Sequence, residues 1–481
     1  MKSDEGKRRP SLLEPESSGG EVARKGFRFQ DEVALSYFPR WLSYEGFTEM
    51  ASELMGDLEA RFFVPGIGFV REFIETKDHL VAPSEFWKEV DRFRELNEGA
   101  PGTYRWFTLV SCGLSESLHP LRNSLRRVRG GYGFYDPGSA IQDQSYADYE
   151  KQVLKYNGRT ADDARFLFEM VLLEADFHNG SLGDGNFLGS VAEHLPQFSQ
   201  VTSLELRKVA AKLRALLVRV NNTPLTRIEV EACFAECKGI RELLATRPVL
   251  LEVSAQPRDR LGRRIDFDWA VFFGGEERKF PPREEWNRIV EELRQTRDWV
   301  IAGRRTKRLH LAGEQRLPVF IAIGAAFPAT AGFALEYENR DGIWKTNAYT
   351  DESTPPYDWT TEYVGSGESK EIAVSVGLAK HIKEQVVLDL EGRGLARLRR
   401  LHLISETPVL SDKHVNLAVE NAKRAIDNAV TAAKATKVHL YVGGPAQFAL
   451  FLGHRLKAIC ELQLYVWSRQ GAYSPACRLL P

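Results

Sequence analysis

From Pro248 onward, short apolar runs alternate with helical stretches, and this alternation limits the possible folds more than any other feature of the chain. "KRLHLAG", "GFALEYEN", "EIAVSVG", "RLHLIS", "KVHLYVGG" and "LQLYVWS" read as strands. Helical runs lie between several of them, notably "DKHVNLAVENAKRAIDNAVTAA" and "PAQFALFLGHRLKAI". Strands that are apolar along their whole length need cover on both faces, which parallel strands joined by crossover helices provide. The second half is therefore expected to be a parallel α/β unit. At Arg247 and Pro248 a proline ends a helical stretch and a Val/Leu-rich strand begins, which places a domain boundary near residue 247.

With 481 residues, two or three domains are expected. Residues 1–22, rich in Ser, Glu, Lys and Pro, read as a disordered tail, leaving residues 23–246 and 247–481 as domains. In the first domain a helix opens at "GFRFQDEVALSYFPRWL", with Phe27, Val33 and Tyr37 among its candidate core contacts. Strands follow at "FTEMASEL" and "DLEARFFV", then the turn "PGIG" and the strand "FVREFIETK". The helix "SEFWKEVDRFRELN" and the strand "YRWFTLVSC" come next, and the following 130 or so residues are mostly helical in pattern.

Lys and Arg number 65 against 66 Asp and Glu, so no global field marks a nucleic-acid binder and any such contact needs a local basic patch. Cys112, Cys233, Cys237, Cys460 and Cys477 form neither a disulfide framework nor a zinc motif, and buried thiols in a reducing compartment are expected. No apolar stretch reaches the roughly 20 residues that span a bilayer, so a cytoplasmic protein without a membrane partner is expected.

Within "FIETKDHL", Glu75 and Lys77 project from one face of their strand. A carboxylate beside an ammonium suits a hydrolytic phosphodiester site, where a divalent cation, Mg²⁺ or Mn²⁺, needs oxygen ligands. Asp57, at the start of the preceding strand, supplies the second carboxylate. A four-residue turn at 65–68 would set Asp57 opposite Thr76 and on the wrong face. A site here therefore requires an odd-length turn or a bulge. In "LHPLRNSLRRVRGGYG", Arg122, Arg126 and Arg129 share a helical face, either as a solvated stripe or as DNA-backbone contacts. His79 lies just past the site, as a surface residue or a DNA contact.

The order of acidic residue, turn and E-x-K resembles the PD-(D/E)xK nuclease superfamily. "GFRFQD" resembles the opening helix of the restriction-type endonuclease module fused to bacterial defence sensors. The resemblance implies that Asp57 and Glu75 bind the metal, that Lys77 assists the attacking water, and that Gln30 adds a polar contact. The chain departs from the pattern in lacking a proline before Asp57 and in carrying Glu75 where relatives often have Gln.

In "KVHLYVGGPAQFALFLGHRL" a strand ends at Gly443, Gly444 and Pro445 before a helix, and "EIAVSVGLAKHI" ends similarly at Ser375 and Gly377. Such junctions are either tight connections or places where backbone approaches a ligand's phosphates. Neither G-K-[ST] nor G-x-G-x-x-G is present. The ordered segments "DFDWAVFFGGEERKFPPREEWNRIVEELRQT", "RLHLAGEQRLPVFIAIGAAF", "GIWKTNAY", "VHLYVGGPAQFALFLGHRL" and "LQLYVWSRQGAYSPACRL" resemble the SAVED domain. That family resembles two fused CARF-like Rossmann units and binds cyclic oligonucleotide second messengers.

For the ligand, the candidates are Arg304 and Arg308 in "GRRTKR", Ser375, Gly377, Gly443, Gly444, Pro445 and Phe448. His454 reads as a packing residue near that site, and Trp467 as a cap on the core or a surface on which a base could stack. Together the resemblances imply an effector of cyclic-oligonucleotide-based antiphage signalling. A cyclic oligonucleotide, expected to be a trinucleotide, would drive homo-oligomerisation and degradation of double-stranded DNA with little sequence preference. Two other readings stay open, a catalytically inactive nucleotide sensor and a restriction-type endonuclease that needs no ligand.

Overall fold

The computed structural model describes residues 15–136, 138–177, 184–219, 223–254, 263–270, 281–340, 342–457, 459–468 and 472–480. The chain divides into two compact units, one of residues up to Phe63 and Phe69–Leu244, the other of Val64–Gly68 and Ala245 onward. Residues 1–14 of the expected tail lie outside the described residues. Residues 15–22 are a correction, because they belong to the first helix.

In the first unit α1 (Pro15–Ser43) leads into β1 (Phe47–Ser52), β2 (Leu58–Val64) and β3 (Gly68–Val81). α2 (Pro83–Gly99) crosses over to β4 (Tyr104–Leu114), which lies parallel to β3. After α3 (His119–Tyr132), α4 (Ala140–Leu154) and α5 (Ala161–Met170) comes β5 (Val171–Ala175), parallel to β4. α6 (Gly185–His194), α7 (Ser203–Arg219), β6 (Leu225–Thr226), α8 (Arg227–Phe234) and α9 (Lys238–Thr246) complete the series. The sheet order is β5-β4-β3-β2-β1-β6.

α2 starts where Pro83 fixes the first turn without losing a needed donor. Its Phe86, Trp87, Val90 and Phe93 recur at helical spacing and are buried. Phe93 stacks on Phe107 at 5.2 Å, and Phe73 meets both Phe93 and Phe107, so α2 is pinned over β3 and β4. Each such side chain contributes about 1.5–3 kcal/mol by burial. In α1, Val33 and Tyr37 join the core as expected, whereas Phe27 is exposed because that turn of the helix faces solvent.

The second unit holds two sheets. The first contains β7 (Val249–Ser254), β8 (Ile265–Asp268), β9 (Arg308–Gly313), β10 (Ala334–Asn339) and β11 (Gly342–Lys345), in the order β11-β10-β9-β7-β8. α10 (Arg283–Gly303) precedes β9 and α11 (Leu317–Ala326) follows it. The second contains β12 (Thr360–Val364), β13 (Glu371–Leu378), β14 (Arg399–Ser405), β15 (Lys437–Gly443), β16 (Glu461–Trp467) and β17 (Tyr473–Leu479), in the order β12-β14-β13-β15-β16-β17. Its helices are α12 (Lys383–Gly392), α13 (Asp412–Ala433) and α14 (Ala446–Arg455).

The inner strands of both sheets are parallel, while the edge strands β11, β12 and β17 are antiparallel. The alternation of apolar strands did not disclose these edges. β12 is exposed at Thr360, Thr361 and Tyr363 and so carries no continuous apolar run. α11 and α14 cross in near backbone contact. A Cβ on Gly324 would lie 2.2 Å from the Leu450 carbonyl oxygen, and one on Gly453 equally close to that of Ile321. Residues 271–280 of the long motif beginning "DFDWA" lie outside the described residues. The five cysteines are free thiols, with Cys237 and Cys477 buried. Among the described residues no helix is long and apolar enough to cross a membrane.

Candidate functional site

The turn between β2 and β3 spans three residues, 65–67, so it has the odd length that a site on this hairpin requires. Asp57 sits just before β2, at the end of the connection from β1 formed by residues 53–57. Gly56 lies flat on the Phe73 ring, where a Cβ would come within 2.4 Å of Cζ. Glu53 takes a left-handed φ of 55°, and its N–H donates to the Asp57 carbonyl at 3.1 Å. Gln30 Nε2 donates to the same carbonyl at 2.5 Å, so Gln30 holds the backbone of Asp57 and leaves its carboxylate alone. Met55 N–H donates to Glu59 Oε1 at 3.0 Å, and Arg92 donates to the Met55 carbonyl.

Asp57 Oδ2 accepts from Thr76 N–H and Thr76 Oγ1, both at 2.7 Å. Beside it, Glu75 Oε1 accepts from Lys77 Nζ at 3.0 Å and Glu75 Oε2 from Arg92 at 2.9 Å. Lys77 Nζ also lies 3.0 Å from Glu89 Oε1, and Arg92 lies 3.4 Å from Glu89 Oε2. Glu75 and Glu89 are each 7% exposed, which is unusual for carboxylates. The hairpin and α2 therefore set Asp57, held by Thr76, beside a hydrogen-bonded cluster of Glu75, Lys77, Glu89 and Arg92.

Burial, and then the charge of Asp57, push the Glu75 carboxyl up despite the opposing Lys77. Burial alone would lower the Lys77 ammonium, but Glu75 and Glu89 outweigh it and hold it above its ordinary value. Asp57, Glu75 and Glu89 outnumber Lys77 and Arg92, so the cluster carries uncompensated negative charge. A divalent cation would relieve that imbalance, with Asp57 and Glu75 as two oxygen donors. No group of three metal-ligating side chains converges among the described residues. Mg²⁺ needs only one or two carboxylates when water and phosphate oxygens complete its shell. Near the same connection, burial, then Glu32 and Glu53, push Asp31 up to about 6.

The arginine stripe of α3 requires a correction. Arg129 donates from Nε and a terminal nitrogen to the carbonyls of Leu167, Phe168 and Val171, where it closes the carboxyl end of α5. Arg122 donates to the Ala175 carbonyl and to Asp176. Two of the three guanidinium groups are spent inside the fold, and Arg126 alone is exposed. His79 is half exposed and pairs with Glu85 and Asp78 at the end of β3, the surface arrangement.

In the second unit the carboxyl ends of the parallel strands align, Gly377 with Gly443 and Leu378 with Ser405. Several of the proposed ligand residues are buried here. Ser375 is 2% exposed, with Oγ 2.6 Å from His402 Nδ1, so it faces the interior of the sheet. Gly377 and Gly443 are glycines because residues 380–382 fold back over them. A Cβ would come 2.4 Å from the Lys380 carbonyl oxygen at Gly377 and 2.6 Å from Ile382 Cγ2 at Gly443. Phe448 is fully buried against Trp359, with ring centroids 5.7 Å apart.

Arg308 begins β9, binding the Thr246 carbonyl at 2.8 Å and Glu336 at 2.6 Å, and Arg304 ends α10 over the Trp299 ring at 4.7 Å. Both lie at the amino ends of the strands, because the cationic run precedes β9. His454 is buried and bound to the Phe327 carbonyl, as a packing residue.

Gly444 and Pro445 remain at the carboxyl edge, half exposed at the start of α14. Other exposed residues join them at this edge. Lys380 and His381 are exposed on the folded-back loop, held by a left-handed φ of 52° at Ala379. Trp467 is 41% exposed at the end of β16, with its ring edge-on to Tyr473 at 4.9 Å. At the end of β9 the Gln315 amide is buried with no hydrogen-bond partner among the described residues. The signal available in the sequence was position alone, since each of these lies at or just past the end of a parallel strand.

Residues 292–479 match the family model described as the SMODS-associated and fused to various effectors sensor domain. These residues form a SAVED domain. The chain is 28% identical to CD-NTase-associated protein 4 of Moraxella osloensis over 473 residues, covering 98% of this chain and 99% of that protein. It is 27% identical to the protein of that name from an Acinetobacter species, with the same shares covered. Among solved structures, the Cap4 SAVED/CARF-domain receptor of Moraxella osloensis matches with a TM-score of 0.76 at 26% identity, over 95% of this chain and all of that one. The Acinetobacter baumannii Cap4 receptor carrying the cyclic trinucleotide 2′3′3′-cAAA matches with a TM-score of 0.83 at 24% identity, over 95% of this chain and 99% of that one.

Proposed function

We propose that this SAVED-domain protein is an effector nuclease of cyclic-oligonucleotide defence signalling. A cyclic trinucleotide bound by the SAVED unit would switch on cleavage of double-stranded DNA in the first unit. The observation that carries the nuclease half is the convergence of Asp57, Glu75 and Lys77 on the β2–β3 hairpin. Support for the ligand half comes from the Acinetobacter baumannii Cap4 receptor, which carries 2′3′3′-cAAA in one structure and 3′3′3′-cAAA in another.

Asp57 and Glu75 would hold Mg²⁺ or another divalent cation, which when bound supplies charge stabilisation at the scissile phosphate. Thr76 fixes Asp57 Oδ2 and leaves Oδ1 for that role. Lys77, kept protonated by Glu75 and Glu89, offers a fixed positive charge and an N–H donor. It can orient the attacking water or neutralise charge that develops on the phosphate. Of Arg122, Arg126 and Arg129, Arg126 is the one left exposed to track a DNA backbone.

In the second unit the carboxyl edge suits a ligand with several phosphates and bases. Lys380 supplies a cation, the α14 start at Gly444 and Pro445 supplies backbone, and Trp467 supplies a stacking surface. Ligand-driven association of protomers would bring nuclease units together on DNA.

The test incubates linear duplex DNA, Mg²⁺ and purified protein with a panel of cyclic di-, tri- and tetranucleotides. Degradation with a cyclic trinucleotide alone is expected. Cleavage without any ligand would favour a restriction-type enzyme, and ligand binding without cleavage would favour an inactive sensor.

A further inference from the structure

We propose that Glu89 and Arg92, three residues apart on α2, are positioning residues that hold Asp57, Glu75 and Lys77 in one working geometry. The proposal rests on the nuclease reading above. α2 already has an apolar stripe, Phe86, Trp87, Val90 and Phe93, that is sufficient to seat it. A buried carboxylate on such a helix is costly unless it is paired, and an apolar side chain of similar size would serve packing as well. Glu89 is nevertheless buried, and its partners are Lys77 and Arg92.

Arg92 reaches both halves of the site from α2. It donates to Glu75 Oε2 on β3 and to the Met55 carbonyl in the connection that carries Asp57. Its guanidinium also lies 5.4 Å from the centre of the Phe73 ring, the ring on which Gly56 rests. Arg92 thus ties Glu75 to the connection that carries Asp57, while Thr76 holds the Asp57 carboxylate itself. Glu89 gives Lys77 a second partner at 3.0 Å, so the ammonium stays in the site when a cation takes Glu75. The opposite role for Arg92 is that of an internal competitor, which blocks Glu75 Oε2 and must be displaced. The two roles predict opposite signs for metal affinity.

The experiment uses the full-length protein and compares wild type, Lys77→Ala, Arg92→Gln, Arg92→Lys, Glu89→Gln and Glu89→Asp. Mn²⁺ binding is measured by calorimetry without DNA, and duplex cleavage is followed across Mg²⁺ concentrations with the activating cyclic nucleotide. R92Q should weaken Mn²⁺ about 10- to 100-fold, with partial recovery in R92K, the range for residues that orient metal ligands. E89Q should leave Mn²⁺ affinity within about threefold yet lower cleavage at saturating Mg²⁺ about 10- to 100-fold, with partial recovery in E89D. Should a Gln variant melt below the assay temperature, its charge-keeping counterpart carries the same prediction at smaller size. Tighter Mn²⁺ binding by R92Q, or wild-type binding and cleavage in both Gln variants, overturns the proposal. A wild type that cuts no DNA under any ligand refutes the nuclease reading instead, and the Mn²⁺ arm still decides the role of Arg92.

Discussion

Replacing Gly56 with alanine is the smallest change that should disable the candidate nuclease without touching a charged group. The added methyl would come 2.4, 2.6 and 2.8 Å from three atoms of the Phe73 ring. That ring cannot retreat, because Phe73 is fully buried among Phe93, Tyr104 and Phe107. The connection at residues 53–57 must move instead, pulling on the Met55 carbonyl held by Arg92 and the Asp57 carbonyl held by Gln30. Overpacking of this kind costs about 1–3 kcal/mol. At about 2–4 °C per kcal/mol for a unit of this size, a fall of roughly 4–8 °C in melting temperature is expected at the middle of that range. Displacement of Asp57 by about 1 Å should lower cleavage on the order of 100-fold. The checks are a thermal melt followed by Trp fluorescence and ligand-activated duplex cleavage. Wild-type melting and wild-type cleavage in Gly56→Ala would refute the account of how Asp57 is held.

Arg129→Ala should lower stability by about 1.5–3 kcal/mol, the size of a charge-assisted hydrogen-bond set, as read by chemical denaturation. Arg126→Ala should stay within about 0.5 kcal/mol of wild type in the same assay. It should also reduce the salt dependence of DNA binding by about one phosphate contact, measured by filter binding across salt concentrations. His454 is buried, and desolvation lowers its pKa to about 4. The unfolded chain therefore takes up a proton near pH 6.5 that the folded chain refuses, so stability is complete above that pH and falls toward pH 4. The loss should reach about 3 kcal/mol at roughly 1.4 kcal/mol per pKa unit, and a pH series of denaturation curves with His454→Asn should lack that component. Lys380→Ala should weaken cyclic trinucleotide binding about tenfold or more, whereas Arg308→Ala should leave it unchanged, both read by calorimetry.

The hairpin site could be read from the sequence because its elements are local. Asp57, Glu75 and Lys77 lie within 21 residues on one hairpin, and the register argument called for an odd-length turn or a bulge, of which the structure has the odd-length turn. Glu89 and Arg92 could not be, since a charged pair on an amphipathic helix looks solvated until the helix is docked. Arg129 illustrates the converse. Spacing placed it on a cationic face, but its partners, the last carbonyls of α5, lie about forty residues away. In the second unit the apolar alternation specified the parallel sheets, while polar edge strands such as β12 carried no such signal. Gly377 and Gly443 were noticed for the right reason, close backbone approach. The approaching group is residues 380–382 of the chain itself, which no local pattern announces.

The most direct test of the central claim is cleavage of linear duplex DNA by wild type and Lys77→Ala, each with Mg²⁺ and a cyclic trinucleotide that both bind equally in calorimetry. The account predicts ligand-dependent degradation by wild type and none by the variant. Equal degradation by the two proteins, or none by either despite bound nucleotide, would contradict it.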